Sequence, residues 1–185
     1  MREEWIKNSQ DIAGHKRAFR NSHKVFSVVL RMLHESGWCG ACHASSAITH
    51  IALQELGVDN VLVLGEAVIG PAYFDHSWIE VQSKPIDSAI SIPLNRELSA
   101  NPVFLGMDVD TKLPTKVIYR ASTSVLDDDA KLVADNDLGW YFENFNFNSS
   151  GFFEPLMMVV RDLGIRKSEE EICRKYSSVR WTRKT

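Results

Sequence analysis

Long apolar runs are missing from this 185-residue chain. None approaches the roughly 18 residues needed to span a bilayer, which excludes a helix crossing a membrane. The first residues, Met-Arg-Glu-Glu-Trp-Ile-Lys, are charged and lack the apolar stretch of a secretory signal. Cysteine is scarce, three in all, and an odd count with two of them close together is no extracellular disulfide framework. A positive excess is also absent. The net charge is -3 at pH 7, whereas domains that bind nucleic acid carry a clear basic surplus. Repeats, low-complexity tracts and Gly/Ser linkers do not occur. These absences lead to the expectation of a cytoplasmic protein with neither nucleic acid nor membrane as partner.

What is present fits one domain, since a chain of this length buries most of its unfolded surface without disulfides or a structural metal. The hydrophobic fraction of 44% and charged fraction of 24% are ordinary. Charge is uneven: basic residues outnumber acidic ones from Arg161 to Thr185, and Asp127, Asp128, Asp129, Asp135 and Asp137 cluster. Both runs read first as solvated surface.

The first twenty residues are polar, with Trp5, Ile6, Ile12 and Phe19 as scattered anchors. Val25, Val28, Val29, Met32 and Leu33 recur at helical spacing and predict a helix from Ser22 to about Glu35, stopped at Gly37. A second helix starts near Cys42, with Ala44, Ala47, Ile48, Ile51, Ala52 and Leu56 as its stripe and Gly57 at a left-handed C-cap. Asn60 to Leu64 reads as a buried strand, continuing through Gly65 to Ile69. After the Gly70-Pro71 break, His76 to Val81 and Pro85 to Ile90 read as strands about a Ser83-Lys84 turn. Further on, Lys116 to Tyr119 is a candidate strand. Asp128 to Asn136, Phe152 to Leu163 and a helix capped by Ser168 and Glu171 are candidate helices. The expected class is α+β, a core over 22–95 with a largely helical elaboration over 96–185.

Chemistry centres on Gly37-Trp38-Cys39-Gly40-Ala41-Cys42-His43-Ala44. A nucleophilic cysteine must be a thiolate, and a free thiol near pKa ~8.5 is mostly protonated at neutral pH. A helix N-terminus and a nearby imidazole both lower that value. Cys42 is expected in the first turn of its helix, where unpaired backbone N–H groups can also hold an oxyanion. Cys39 lies one turn earlier and has no such position. His76 opens the strand after the Gly-Pro break and is the expected base. Asp87 on the opposing strand is placed to orient it, with Asp75 and Asn95 as the other candidates for that role. Trp38 and Trp78 are the candidate substrate contacts.

From Cys42 to Asp87 the chain resembles the transglutaminase-like superfamily, relatives of papain. The resemblance lies in a cysteine-headed helix ending in Leu56-Gly57-Val58, then Val61-Leu62-Val63-Leu64-Gly65, then His76-Ser77-Trp78-Ile79-Glu80-Val81, then Asp87. Cys39-Gly40-Ala41-Cys42-His43-Ala44 is also similar to the papain-type Cys-Gly-Ser-Cys-Trp-Ala stretch, with the second cysteine nucleophilic. The hairpin here is shorter than in most relatives, and Asp87 precedes Ser88-Ala89 rather than Pro-Thr. The resemblance implies a papain-like core and a Cys42-His76-Asp87 triad that transfers acyl groups from a peptide or protein amide through a thioester, with no metal or organic cofactor. Water as acceptor makes a protease, deamidase or amidase; an amine makes a transglutaminase.

Other readings compete. Trp38-Cys39-Gly40-Ala41-Cys42 resembles the Trp-Cys-Gly-Pro-Cys site of thioredoxins, a thiol-disulfide chemistry that a strand, not a helix, leads into. A zinc site using Cys39, Cys42 and His43 lacks a second ligand pair at suitable spacing. A non-catalytic binding domain of the same fold stays open. Cys42 alone would read as a small buried hydrophobe, and Cys173 reads as core packing. His43 and His50 read as surface or core-edge residues, and His15, His23 and His34 as surface. Trp78 is read either as a cover over the histidine and aspartate or as an exposed aromatic. The stretch Trp140, Tyr141, Phe142, Phe145, Phe147, Phe152 and Phe153 is read as the core of an added subdomain or, more sharply, as a wall of the cleft.

Overall fold

The computed structural model describes residues 2–98, 100–145 and 151–185, the side chain of Arg96 excepted. Three helices lead: α1 (Glu3–Ala13), α2 (Arg17–Ser36) and α3 (Cys42–Glu55). A long hairpin follows, β1 (Val61–Ile69) and β2 (Ala72–Val81), and then the short β3 (Lys84–Ile86). Beyond it come the small ribbon β4 (Val103–Phe104) and β5 (Met107–Asp108), then β6 (Ile118–Arg120). Four helices and a strand complete the chain: α4 (Asp128–Asp135), α5 (Leu138–Asn144), α6 (Phe153–Asp162), α7 (Glu169–Tyr176) and β7 (Thr182–Arg183). The main sheet runs β3-β2-β1-β6 with antiparallel pairing, and β7 adds a parallel pairing to β1. The fold is mixed α and β on a mainly antiparallel sheet. Among the described residues no helix is long and apolar enough to cross a membrane.

Helix α3 is the centre of the molecule. All ten residues from Ala44 to Leu53 are buried, so it is enclosed on every side rather than along the single stripe its sequence suggests. Small residues make that possible, and the polar ones bond within the helix. Ser46 and Thr49 donate to the carbonyls of His43 and Ser45 at 2.9 and 2.7 Å. Gly57 is left-handed, φ 69°, and Val58 N–H returns to the Leu53 carbonyl, the C-cap that its position after Leu56 suggests. Helix α2 ends likewise at left-handed Gly37.

Several boundaries differ from the sequence expectation, and α2 starts at Arg17 rather than Ser22. The Gly70-Pro71 turn joins β1 and β2 directly, with Ile69 opposite Ala72, so β2 starts at Ala72 and His76 lies inside it. The return strand stops at Ile86, because the Asp87 carboxylate accepts from Ile90 N–H at 3.1 Å and turns the chain into a 3-10 turn at Ala89–Ser91. The segment after residue 95 carries α4 to α7, but a long stretch before α4 is loop and short strand, and it also completes the sheet: β6 pairs Val68, Ala67 and Glu66 of β1, and β7 pairs Val63 and Leu64.

Candidate active site

The side chain of Cys42 lies at the first position of α3, next to the cleft. Ala41, the N-cap, has no side-chain acceptor, and no side chain caps the first turn. The N–H groups of that turn lack intrahelical partners by geometry. A helix end contributes about 1 kcal/mol, less than one pKa unit, so it alone leaves a thiol protonated at neutral pH. The histidines decide the outcome. Burial pushes the Cys42 thiol up, but the charges and hydrogen bonds of His43 and His76 outweigh it and hold the thiol well below its ordinary value.

Strand β3 pairs β2 only at Ile79, Glu80 and Val81, so the β2 edge at His76 and Ser77 is not covered by β3. His76 is 3% exposed. Its Nε2–H donates to Asp87 Oδ2 at 2.7 Å, which leaves Nδ1 unused by that bond, and His76 lines the same cleft as Cys42. Phe74 holds the ring edge-on at 5.5 Å. Burial disfavours the imidazolium, yet the Asp87 carboxylate and the Cys42 thiolate push His76 up to about 10. Both shifts run in the direction of a thiolate–imidazolium pair.

The buried Asp87 carboxylate is fully engaged. Oδ2 also accepts from the Tyr119 hydroxyl at 2.9 Å, and Oδ1 from Ile90 N–H. Burial and the charge of Asp87 keep the Tyr119 phenol well above its ordinary value, so it stays a donor. Asp75 and Asn95, the other sequence candidates, are used elsewhere: Asp75 accepts from Ser122 Oγ and Asp127 N–H, and Asn95 from Glu97 N–H.

Trp78 is a correction. At 1% exposure it offers no surface to a substrate. It lies against Tyr119, ring centroids 4.9 Å apart, and donates from Nε1 to Glu80 at 3.1 Å, covering the tyrosine that holds Asp87. Trp38 does line a cleft of about 250 Å³, with Leu132, Trp140, Tyr141 and Phe145. A second cleft of about 230 Å³ contains Cys42, His76, Phe74, Ile90 and Leu94. Gly40, His43 and Asp129 line both. Leu94, 80% exposed, lies over Gly40 so closely that a Cβ there would come within 2.3 Å of it.

The aromatic stretch divides between its two readings. Trp140, Tyr141 and Phe145 line the cleft, whereas Phe142 and Phe152 stack in the core at 5.1 Å; Phe147 lies outside the described residues. Sequence reasoning missed Tyr119 and His43. It also placed two histidines on the surface that are half-buried: His23 bonds Ser9 and Ser27, and His34 bonds Ser91 at 3.0 Å. Cys173 is half-buried and packs at the edge of the main core. Comparison with protein-family models, curated proteins and solved structures finds no match to the chain.

Proposed function

We propose that this chain is a cysteine-dependent acyl-transfer enzyme on a papain-like, transglutaminase-like core, with Cys42 as nucleophile, His76 as proton carrier and Asp87 as the residue that orients His76. The observation that carries the reading is one cleft lined both by Cys42, at an uncapped helix N-terminus, and by a buried imidazole that a carboxylate holds at 2.7 Å. Clefts on both sides of His43 suit a peptide or protein amide with side chains flanking the reacting bond.

In the reaction, Cys42 Sγ forms a bond to the carbonyl carbon and the carbonyl π pair moves to oxygen, where first-turn N–H groups of α3 receive it. The π bond re-forms as the C–N bond breaks, and the His76 proton goes to the departing nitrogen. A thioester remains. Water or an amine then gives a proton to His76 and attacks the thioester, and Sγ leaves as thiolate. Hydrolysis and transamidation share every step but the acceptor. The thiol-disulfide alternative is disfavoured because a 20-residue helix, not a strand, leads into Trp38-Cys42.

The test is iodoacetamide labelling across pH, on the intact chain and on His76→Ala, with the modified cysteine located by mass spectrometry. Fast labelling of Cys42 well below pH 8 that slows in the variant is expected. Ordinary thiol behaviour in both would overturn the reading and leave a non-catalytic domain.

A further inference from the structure

Cys42 has a second imidazole beside it. His43 follows it in the first turn of α3, and His43 Nδ1 lies 2.6 Å from Ser77 Oγ. Ser77 is 1% exposed and adjoins His76 on the β2 edge that β3 leaves uncovered. Consecutive strand residues point to opposite sides, so His76 and Ser77 diverge and Cys42 and His43 meet one each. With Nδ1 tied to Ser77, Nε2 is the His43 nitrogen not so engaged, and His43 and Cys42 line one cleft. His43 also lines both clefts.

We propose that His43 is a second catalytic imidazole, a cation beside the Cys42 sulfur in the cleft they share, which holds the thiolate ready for attack. The inference rests on the acyl-transfer reading above. Its support is the charge around the resting thiolate. Asp87 binds His76, and Asp75, Asp127 and Asp129 line the same cleft as Cys42. With His76 as the sole cation, the thiolate would sit among an excess of negative charge, which disfavours it. A cation at His43 reduces that excess.

The surroundings of His43 agree. Burial disfavours its cation, and His76 repels it, but the Cys42 thiolate and, from the segment before α4, Asp127 raise it above its ordinary value. Asp129 of α4 shares both cleft linings with it.

Two measurements on the full chain test this. Iodoacetamide labelling of Cys42 is followed across pH in wild type, His43→Gln and His76→Ala. His43→Gln is expected to move the midpoint up by about one pH unit, so that labelling below the wild-type midpoint falls about tenfold while labelling at high pH is preserved. Low-pH reactivity that disappears in His76→Ala yet is identical in His43→Gln would overturn the role of His43 and leave the acyl-transfer reading standing. Ordinary thiol behaviour in wild type would overturn the acyl-transfer reading itself. Independently of how His43→Gln folds, NMR titration of the His43 ring is expected to show a lower pKa in Cys42→Ala than in wild type. An unchanged His43 titration would also overturn the proposal.

Discussion

Tyr119 and His76 donate to the same oxygen of Asp87, at 2.9 and 2.7 Å. The two donors reach it from different parts of the chain, Tyr119 from β6 and His76 from β2, with β1 pairing both strands. The carboxylate is thus held by the sheet as a whole. Removing the tyrosine hydroxyl takes one donor from a buried charge. Tyr119→Phe is expected to cost about 1.5–3 kcal/mol of stability, read from urea unfolding. Asp87→Asn, which can present an N–H to His76 and fix the wrong tautomer, is expected to lower turnover by on the order of 10⁴. Retained turnover in Asp87→Asn would remove Asp87 from the orienting role.

Gly65 lies opposite His76 in the hairpin register. A Cβ at Gly65 would meet the Arg120 carbonyl at 2.4 Å and the Trp78 ring at 2.8 Å, and neither the backbone nor the buried ring gives way easily. Gly65→Ala is expected to destabilise by about 1–3 kcal/mol, the range of overpacked sites, through the β1–β6 contact that places Tyr119. A urea midpoint equal to wild type would contradict this.

Glu66 fastens the segment that leads to α4. It accepts from Arg120 Nε at 3.1 Å, Thr123 N–H at 2.8 Å and Thr123 Oγ1 at 2.9 Å. Burial would raise its carboxyl, but these donors hold it at about 2, against an ordinary 4.5. The folded value is depressed, so the stabilisation is fully present above 4.5 and is lost as pH falls through about 2. Glu66→Gln is expected to melt below wild type at pH 7, with the gap closing between pH 4.5 and 2. A gap independent of pH would show that the charge of Glu66 is not what matters.

The sequence was most informative where one residue carries a local rule. Gly57 marks a left-handed C-cap, and Ser168 with Glu171 makes a complete capping box. It was silent about α1 because the buried face of that helix includes Asn8 and Ser9, which bond to Val109 and His23, leaving too few apolar residues for a period. Helix α5 had a readable signal in the Asp137 N-cap before Leu138, Tyr141, Phe142 and Phe145. The density of aromatics hid their three-and-four spacing. Tyr119 was not legible because its contact depends on β6 crossing back to β1, a pairing no local pattern encodes. His43 was passed over because its partner, Ser77, lies 34 positions away.

Acylation of Cys42 by 4-nitrophenyl acetate at neutral pH, followed by mass spectrometry of the intact and digested chain, tests the central claim most directly. The expected result is an acetyl group on Cys42 that forms quickly and then decays by hydrolysis, is retained in Cys39→Ser and is absent in His76→Ala. Slow acetylation spread equally over Cys39, Cys42 and Cys173, or acetylation of Cys42 unaffected by loss of His76, would contradict it.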